Sequence, residues 1–388
     1  MNVVYLSPHF PPNYYNFCVA LRRHNVNVLG IGEDHYHNLK PELKGALTEY
    51  YHLYNMEDHD QVLRAVAFFT HKYGKIDRVE SLNEHWIELE AYLRENFNVF
   101  GKKIAETEQI KRKSLMKKKF MDAGVDVVPG AVVRTIDEAR EFIHGVGYPV
   151  IAKPDKGVGA AATYKLQDED MLERFFAQKP PIDYFMETFV TGEIVTFDGL
   201  ADRDGNILFH TSLKYSRNIM EVVNEDDHVY YYTLRELPEN LVRAGEASVR
   251  AFEVREKFFH FEFFRTPDDR IVGLELNLRP PGGLTTDMMN FANDFDVYRE
   301  WANVVVHNRF EAHWSKRYHC MYIGRKNNIR YRHRHDEILH RYYHQLVLVT
   351  EMPPIFRNAM GDFAYIARSP SLEELLEMAQ FVHARAEY

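Results

Sequence analysis

At 388 residues, with 45% hydrophobic and 27% charged residues, the chain is long enough for two or three cores and has the composition of an ordinary globular enzyme. A net charge of −9 and a pI near 6.1 argue against nucleic acid or an anionic membrane as the main partner. No apolar run reaches the roughly 18–20 residues that would span a bilayer, Pro8, Pro11 and Pro12 break any signal-peptide core, and the distant pair Cys18 and Cys320 gives no metal spacing, so a cytoplasmic protein is expected.

Residues 1 to about 103 alternate strand-like and helix-like stretches. Residues 3–6 and 26–31 are apolar runs of buried-strand character, and 60–73 carry a helical apolar stripe. Residues 77–81 and 84–95 repeat the strand–helix pair before Val99-Phe-Gly closes the unit. Such alternation predicts a small α/β unit on a parallel sheet. The first strand runs into Ser7-Pro-His-Phe-Pro-Pro without glycines, so no dinucleotide fingerprint is present. Residues 111–119 hold six basic residues, expected as the solvated face of a helix with one lysine turned inward. Thr135-Ile-Asp-Glu138 has capping-box spacing for a helix that Gly145-Val-Gly147 ends.

A short apolar strand at 150–152 delivers Lys153 into Pro-Asp-Lys156-Gly157-Val-Gly159-Ala-Ala-Ala-Thr163, small residues able to lie close over phosphates through backbone N–H groups. It is not a Walker loop, because no Gly-Lys-Ser/Thr opens a helix. Strands at 193–200 and 207–212 flank the turn Asp202-Arg-Asp-Gly205, and Pro238 starts a helix running to 252. The most informative stretch comes next. His260-Phe-Glu262-Phe-Phe and Glu275-Leu-Asn277-Leu-Arg279-Pro-Pro-Gly-Gly are strand-like runs joined by the turn Thr266-Pro-Asp-Asp. Antiparallel pairing would set Glu262 near Glu275. Alternation puts Glu275, Asn277 and Arg279 on one face and Leu274, Leu276 and Leu278 on the other. Three hard oxygen ligands beside a fixed positive charge suit magnesium on nucleotide phosphates. A surface hairpin with ion pairs would account for the charges alone, but Asn277 is disfavoured in a strand unless its oxygen is used. Residues 296–307 predict a helix, 319–324, 345–350 and 362–367 strands, and 371–384 a capped helix. His333, His335, His340 and His344 invite a zinc reading, yet no carboxylate or cysteine completes a site, and exposed histidines are expected.

In this order the motifs resemble the ATP-grasp superfamily, above all its carboxylate-amine ligases and biotin carboxylase-like branch, over roughly residues 100–310. Ile110-Lys-Arg-Lys113-Ser-Leu-Met, Asp122-Ala-Gly-Val and Val128-Pro-Gly130 are similar to the opening of that domain. The fold implied is an N-terminal parallel α/β (pre-ATP-grasp) domain over 1–103, then a two-lobed ATP-grasp domain over 104–310. Its lobes would cover about 104–187 and 188–310, and a small α+β region would follow over 311–388. The cofactors implied are ATP and Mg2+, or Mn2+ in its place. Lys113 and Lys153 would reach the phosphates beneath the loop of Gly157 and Gly159. Glu187, Thr188, Phe189 and Val190 match the hinge along the adenine edge, and either Glu187 or Glu193 takes the ribose. Ile151, Phe264 and Leu274 would add nucleotide contacts, and Glu262, Glu275 and Asn277 match the metal ligands. Arg279 matches the arginine that braces the transferred phosphoryl group, with Lys153 beside it as a second catalytic cation. Arg279, Gly282, Gly283 and Glu84 are candidates for the substrate, as is Lys214-Tyr-Ser-Arg217. Two features depart from the pattern: Ala160-Ala161-Ala162 stands where relatives have more Gly or Ser, and many relatives place the ribose acid one position later than Glu193.

The activity this resemblance implies is ATP-dependent joining of a small carboxylate to an amine, amino acid-like compounds being favoured, through an acyl phosphate with release of ADP and phosphate. A homodimer is a family-level expectation. The same residues would also serve a kinase, a bicarbonate-using carboxylase, or a non-catalytic ATP-binding regulator.

Overall fold

The computed structural model describes residues 1–157, 162–217, 222 and 225–386. The N-terminal unit is built on β1 (Asn2–Leu6), β2 (Asn27–Gly32), β3 (Glu49–His52) and β4 (Arg78–Glu80), ordered β3-β2-β1-β4 with every pairing parallel. All five residues of β1 are buried, as a parallel strand covered on both faces requires. One face packs on Val62, Ala65, Val66 and Phe69 of the helix His59–Tyr73. The other meets Phe17, Cys18 and Leu21 of the helix Tyr15–Arg23 and, from far along the chain, Trp301 and Val305 of the helix Val297–His307. The first and last thirds of the molecule therefore share one core. The helix Tyr15–Arg23, the short helix Pro41–Ala46 and β3 had no clear sequence signal.

The second sheet comprises β5 (Gly130–Val133), β6 (Val150–Pro154), β7 (Tyr164–Leu166) and β8 (Tyr184–Thr188), antiparallel in the order β5-β8-β6-β7. The helix Ile136–Val146 covers it and carries the expected capping box, with Thr135 accepting from the Glu138 N–H. Of the loop after Lys153, Gly157 is described, whereas Gly159 lies outside the described residues.

Among the described residues, nine strands form the third sheet: β9 (Glu193–Ala201), β10 (Ile207–Thr211), β11 (Leu213–Tyr215), β12 (Tyr230–Thr233), β13 (Lys257–Arg265), β14 (Ile271–Asn277), β15 (His319–Arg325), β16 (Leu346–Glu351) and β17 (Phe363–Ser369). Their order is β14-β13-β9-β11-β12-β15-β17-β16, with β10 paired to one end of β9. The hairpin read from the sequence is present: β13 and β14 pair antiparallel with Glu262 opposite Glu275 and His260 opposite Asn277. The strands after residue 310 extend this same sheet through β12–β15 pairing. Of the histidines there, His335 lies 2.7 Å from the Tyr365 hydroxyl and His333 stacks on Phe381, while His340 and His344 are exposed. No helix among the described residues is long and apolar enough to cross a membrane.

The basic stretch corrects one expectation. It forms two helices, Ile104–Lys111 and Lys113–Asp122, broken at Arg112, whose extended backbone bridges to Lys156. Three lysines turn inward rather than one: Lys111, Lys113 and Lys117 are all buried. Lys113 and Lys117 lie one turn apart and so share a face.

A second feature had no sequence signal at all. Where the N-terminal unit meets the third sheet, Lys257 of β13 reaches Glu80 of β4 and lies 2.9 Å from Glu90. Arg94 is 3.0 Å from Glu80 and 2.8 Å from Glu90. The remaining Glu90 oxygen accepts from the Ser81 N–H and hydroxyl. All four charged side chains are buried, two of each sign. Beside them Glu256 accepts from Arg78 and Arg203.

Candidate active site

The third sheet offers one polar face at the hairpin. β9, β13 and β14 lie side by side, and their register builds two rows across them: Thr196, Glu262, Glu275 in one and Asp198, His260, Asn277 in the other. The alternate positions, Phe197, Phe259, Phe261, Phe263 and Leu276, are buried in the core beneath. Among the described residues the Glu275 carboxylate and the Asn277 side chain have no hydrogen-bond or ion-pair partner, and only one Glu262 oxygen is engaged, 3.2 Å from His260 Nε2. Unpartnered oxygens of this kind on one face fit a hard divalent cation. Among the described residues no three His, Cys, Asp or Glu cluster as metal ligands. Two carboxylates and an amide thus suit Mg2+ that brings phosphate oxygens with it better than a cation caged by protein alone.

Cations face this row from several elements. Lys113 Nζ donates to the Gly157 carbonyl at 3.2 Å, bringing the start of the glycine loop down to the helix Lys113–Asp122. Lys113 is buried, and desolvation lowers its pKa although Glu275 pulls the other way. Arg279 follows directly on β14. Its guanidinium is half-buried, donates to the Pro280 carbonyl at 2.8 Å, and has no salt bridge among the described residues. Glu84 belongs to the short 3-10 turn Glu84–Trp86 after β4, and Arg279 and Glu275 are both among the charges acting on it. Its Oε1 lies 3.2 Å from Lys111 Nζ, while its Oε2 is buried without a partner among the described residues. Burial pushes the Glu84 pKa up despite Lys111 and Arg279.

Lys153 and Glu187 sit opposite, on adjacent strands β6 and β8. Lys153 Nζ is 2.5 Å from Glu187 Oε1, and Lys117 Nζ is 3.0 Å from Oε2 and donates to the Gly273 carbonyl of β14 at 2.7 Å. Lys117, which sequence reasoning passed over, therefore ties the second sheet to the third. Gly273 has no room for a side chain, because an added Cβ would stand 2.7 Å from the Phe120 ring. Burial would raise the Glu187 pKa, but the two lysines overcome it and hold the carboxyl at about 2.

That shift fixes a pH dependence. Glu187 titrates below the ordinary 4.5, so its contribution to stability is complete above that value and is lost as pH falls from about 4.5 towards 2. Glu187→Gln, which leaves two buried lysines facing an amide, is expected to be less stable than the native chain at pH 7. The gap in urea midpoint should narrow steadily below pH 4.5. A gap independent of pH would mean that the carboxylate is not held by these lysines.

The remaining predicted positions divide by environment. Ile151, Phe264 and Leu274 are half-buried apolar side chains, as wall residues of an open cleft would be. In the hinge, Thr188 and Phe189 donate backbone N–H groups to Pro129 and Pro149, while among the described residues nothing accepts from Val190 N–H. Glu193 is exposed at the start of β9 and pairs with Lys214 at 2.9 Å. Arg217 turns to Glu225 and Asp227, 2.9 Å from the latter. Gly283 has φ +67, and a Cβ there would collide with Met360. Gly282 is exposed, its carbonyl accepting from the Thr285 hydroxyl.

Two small lobes, one carrying a lysine strand and glycine loop and the other an acidic hairpin, define the ATP-grasp fold. The family described as carbamoyl-phosphate synthase L chain, ATP binding domain, matches residues 112–221. An L-arginine-specific L-amino acid ligase of Bacillus subtilis is 22% identical over 275 residues, covering 66% of this chain and 64% of that ligase, which is less than two thirds of its length. The crystal structure of an L-amino acid ligase from Bacillus licheniformis superposes with a TM-score of 0.74 at 15% identity, over 98% of this chain and 96% of that one. N5-carboxyaminoimidazole synthetase from Staphylococcus aureus, complexed with ADP, gives a TM-score of 0.74 at 12% identity, over 97% and 95% of the two chains. The chain therefore has the ATP-grasp fold, and residues 112–221 match the ATP-binding domain model.

Proposed function

We propose that the protein is an ATP-dependent ligase that joins a carboxylate to an amine, releasing ADP and phosphate. The observation that carries this reading is the hairpin: Glu262 directly opposite Glu275, Asn277 one alternation on, and Arg279 beyond its end with no salt bridge among the described residues. Lys113 and Lys153 would hold the phosphates. Glu193, exposed at the start of β9, suits the ribose better than Glu187, whose carboxylate is taken up by two lysines. Ile151, Phe264 and Leu274 would flank the adenine, and the Val190 N–H would bond its edge. Glu262, Glu275 and Asn277 would hold magnesium, which would offset the charge of the nucleotide phosphates.

The substrate carboxylate attacks the γ-phosphorus in line, the bond to the β-bridging oxygen breaks, and an acyl phosphate and ADP result. Arg279 neutralises charge on the transferring group, and the backbone around Gly282 and Gly283 can donate to the acyl oxygen. The amine then adds to the acyl carbon, loses a proton, and expels phosphate to leave an amide. The chain contributes position and field rather than a covalent partner.

Amino acid-like substrates are favoured by Glu84: an acceptor oxygen buried without a partner among the described residues is what a substrate ammonium would satisfy. The names of the two amino acid ligases above point the same way. The test is ATP turnover with magnesium across amino acids, singly and in pairs, reading ADP, phosphate and product mass. ADP formed only when an acid and an amine are both present, with a condensed product, supports the ligase. ADP formed with bicarbonate or a lone acceptor would instead mark a carboxylase or kinase.

Glu275→Gln keeps the shape and removes one metal charge. It is expected to shift the magnesium dependence of turnover upward by tenfold or more with little change in melting temperature. An unchanged magnesium titration would remove Glu275 from the metal site.

A further inference from the structure

His260 is buried with a carboxylate at each ring nitrogen: Asp198 Oδ1 2.6 Å from Nδ1 and Glu262 Oε1 3.2 Å from Nε2. Two acceptors require two donors, so both nitrogens must present N–H groups to carboxylate. The contacts follow from sheet geometry. Asp198 stands directly opposite His260 across β9 and β13, and Glu262 is two residues along β13 on the same face. The network continues inward, since Asp198 also accepts from the Thr196 hydroxyl, which in turn accepts from the Leu213 N–H at 2.8 Å. Asp198 and Thr196 are fully buried. A continuous line of bonds thus runs from the backbone of β11, across β9, to one oxygen of Glu262 and no further. By contrast, among the described residues Glu275 and Asn277 have no such support.

We propose that Asp198 and His260 are positioning residues for Glu262: they pin one of its oxygens so that the other is presented, with Glu275 and Asn277, to the divalent cation. This rests on the reading of those three residues as the metal ligands. A carboxylate on a strand is free to swing about its side-chain torsions, and a fixed donor removes that freedom before the cation arrives. Outer partners of metal ligands commonly govern affinity by tenfold to a hundredfold.

The test is Mn2+ binding to the full chain in the presence of ADP, followed by electron paramagnetic resonance, alongside melting temperature measured without metal or nucleotide. His260→Leu is expected to weaken Mn2+ by about tenfold or more, and Asp198→Asn by less, because the amide oxygen still accepts from His260. His260→Gln, long enough to donate to Glu262, should recover much of the loss, and His260→Asn, too short to reach, should not. A merely structural role would lower the melting temperature in all four without separating Gln from Asn. If His260→Leu fails to fold, the Gln and Asn pair carries the test. Mn2+ affinity within twofold of the native chain in both would overturn the proposal while leaving the metal site standing. A native chain that binds no Mn2+ with ADP would overturn the metal site itself, and the proposal with it.

Discussion

Arg279→Ala is expected to lower turnover a hundredfold or more while the Michaelis constant for ATP changes little. The argument starts from what the guanidinium does not do. It is half-buried beyond the end of the hairpin proposed to hold the metal yet makes no salt bridge among the described residues, donating there only to the carbonyl of its neighbour Pro280. A planar cation with donors to spare, fixed at the end of a strand, is preorganised for an anion that forms during the reaction. Removing a donor of that kind typically costs about 3–4 kcal/mol of transition-state stabilisation. The proposed adenine and metal contacts lie on other residues, so ground-state binding should survive. Arg279→Lys keeps the charge but loses the fork, and should recover only part of the rate. Steady-state kinetics with an unchanged melting temperature would check this. Near-normal turnover of the alanine variant would dismiss the phosphoryl role.

The largest loss of stability is expected from Lys257→Met. Lys257 is one of two cations facing Glu80 and Glu90 where the N-terminal unit meets the third sheet, and all four groups are buried. Taking away one cation leaves two carboxylates with Arg94 alone. Breaking a buried pair from one side costs about 3–5 kcal/mol, because the partner left behind is charged and out of water. The sign can be checked against a compensated variant. Adding Glu80→Gln to Lys257→Met returns the cluster to balance, and the double variant should melt higher than the single one. If Lys257→Met melts with the native chain, the cluster does not hold the two units together.

The local parts of this molecule were legible in its sequence. The hairpin could be read because alternation, a Thr-Pro-Asp-Asp turn and a cluster of charges fall within twenty residues, and the observed register pairs Glu262 with Glu275. Thr135 and Glu138 announce their helix for the same reason: the capping contact spans three residues. Relations between distant segments could not be read. Lys257 meets residues 167 and 177 positions away. Lys111 to Lys119 says little about which lysines turn inward, because cations fall on every side of the helix and only Met116 and Phe120 mark its buried face. Lys117 therefore escaped notice, although its spacing of four from Lys113 was the one available clue. No spacing singles out Glu84, because the charges that act on it, Arg279 and Glu275 among them, stand far along the chain. The C-terminal strands looked like a separate region because local pattern predicts strands without saying whose edge they join.

The two rows of side chains across β9, β13 and β14 also say what can change in this protein and what cannot. Each functional group there stands at an even step from the next along its strand, with a core phenylalanine or leucine at the odd steps. Replacing any one residue alters a single group, whereas inserting one residue into β13 exchanges the two faces, sending Phe261 and Phe263 into the cleft and Glu262 into the core. What the lineage must transmit is a parity rather than a spelling. Chains agreeing with this one at 12–15% of positions superpose on it over nearly its whole length.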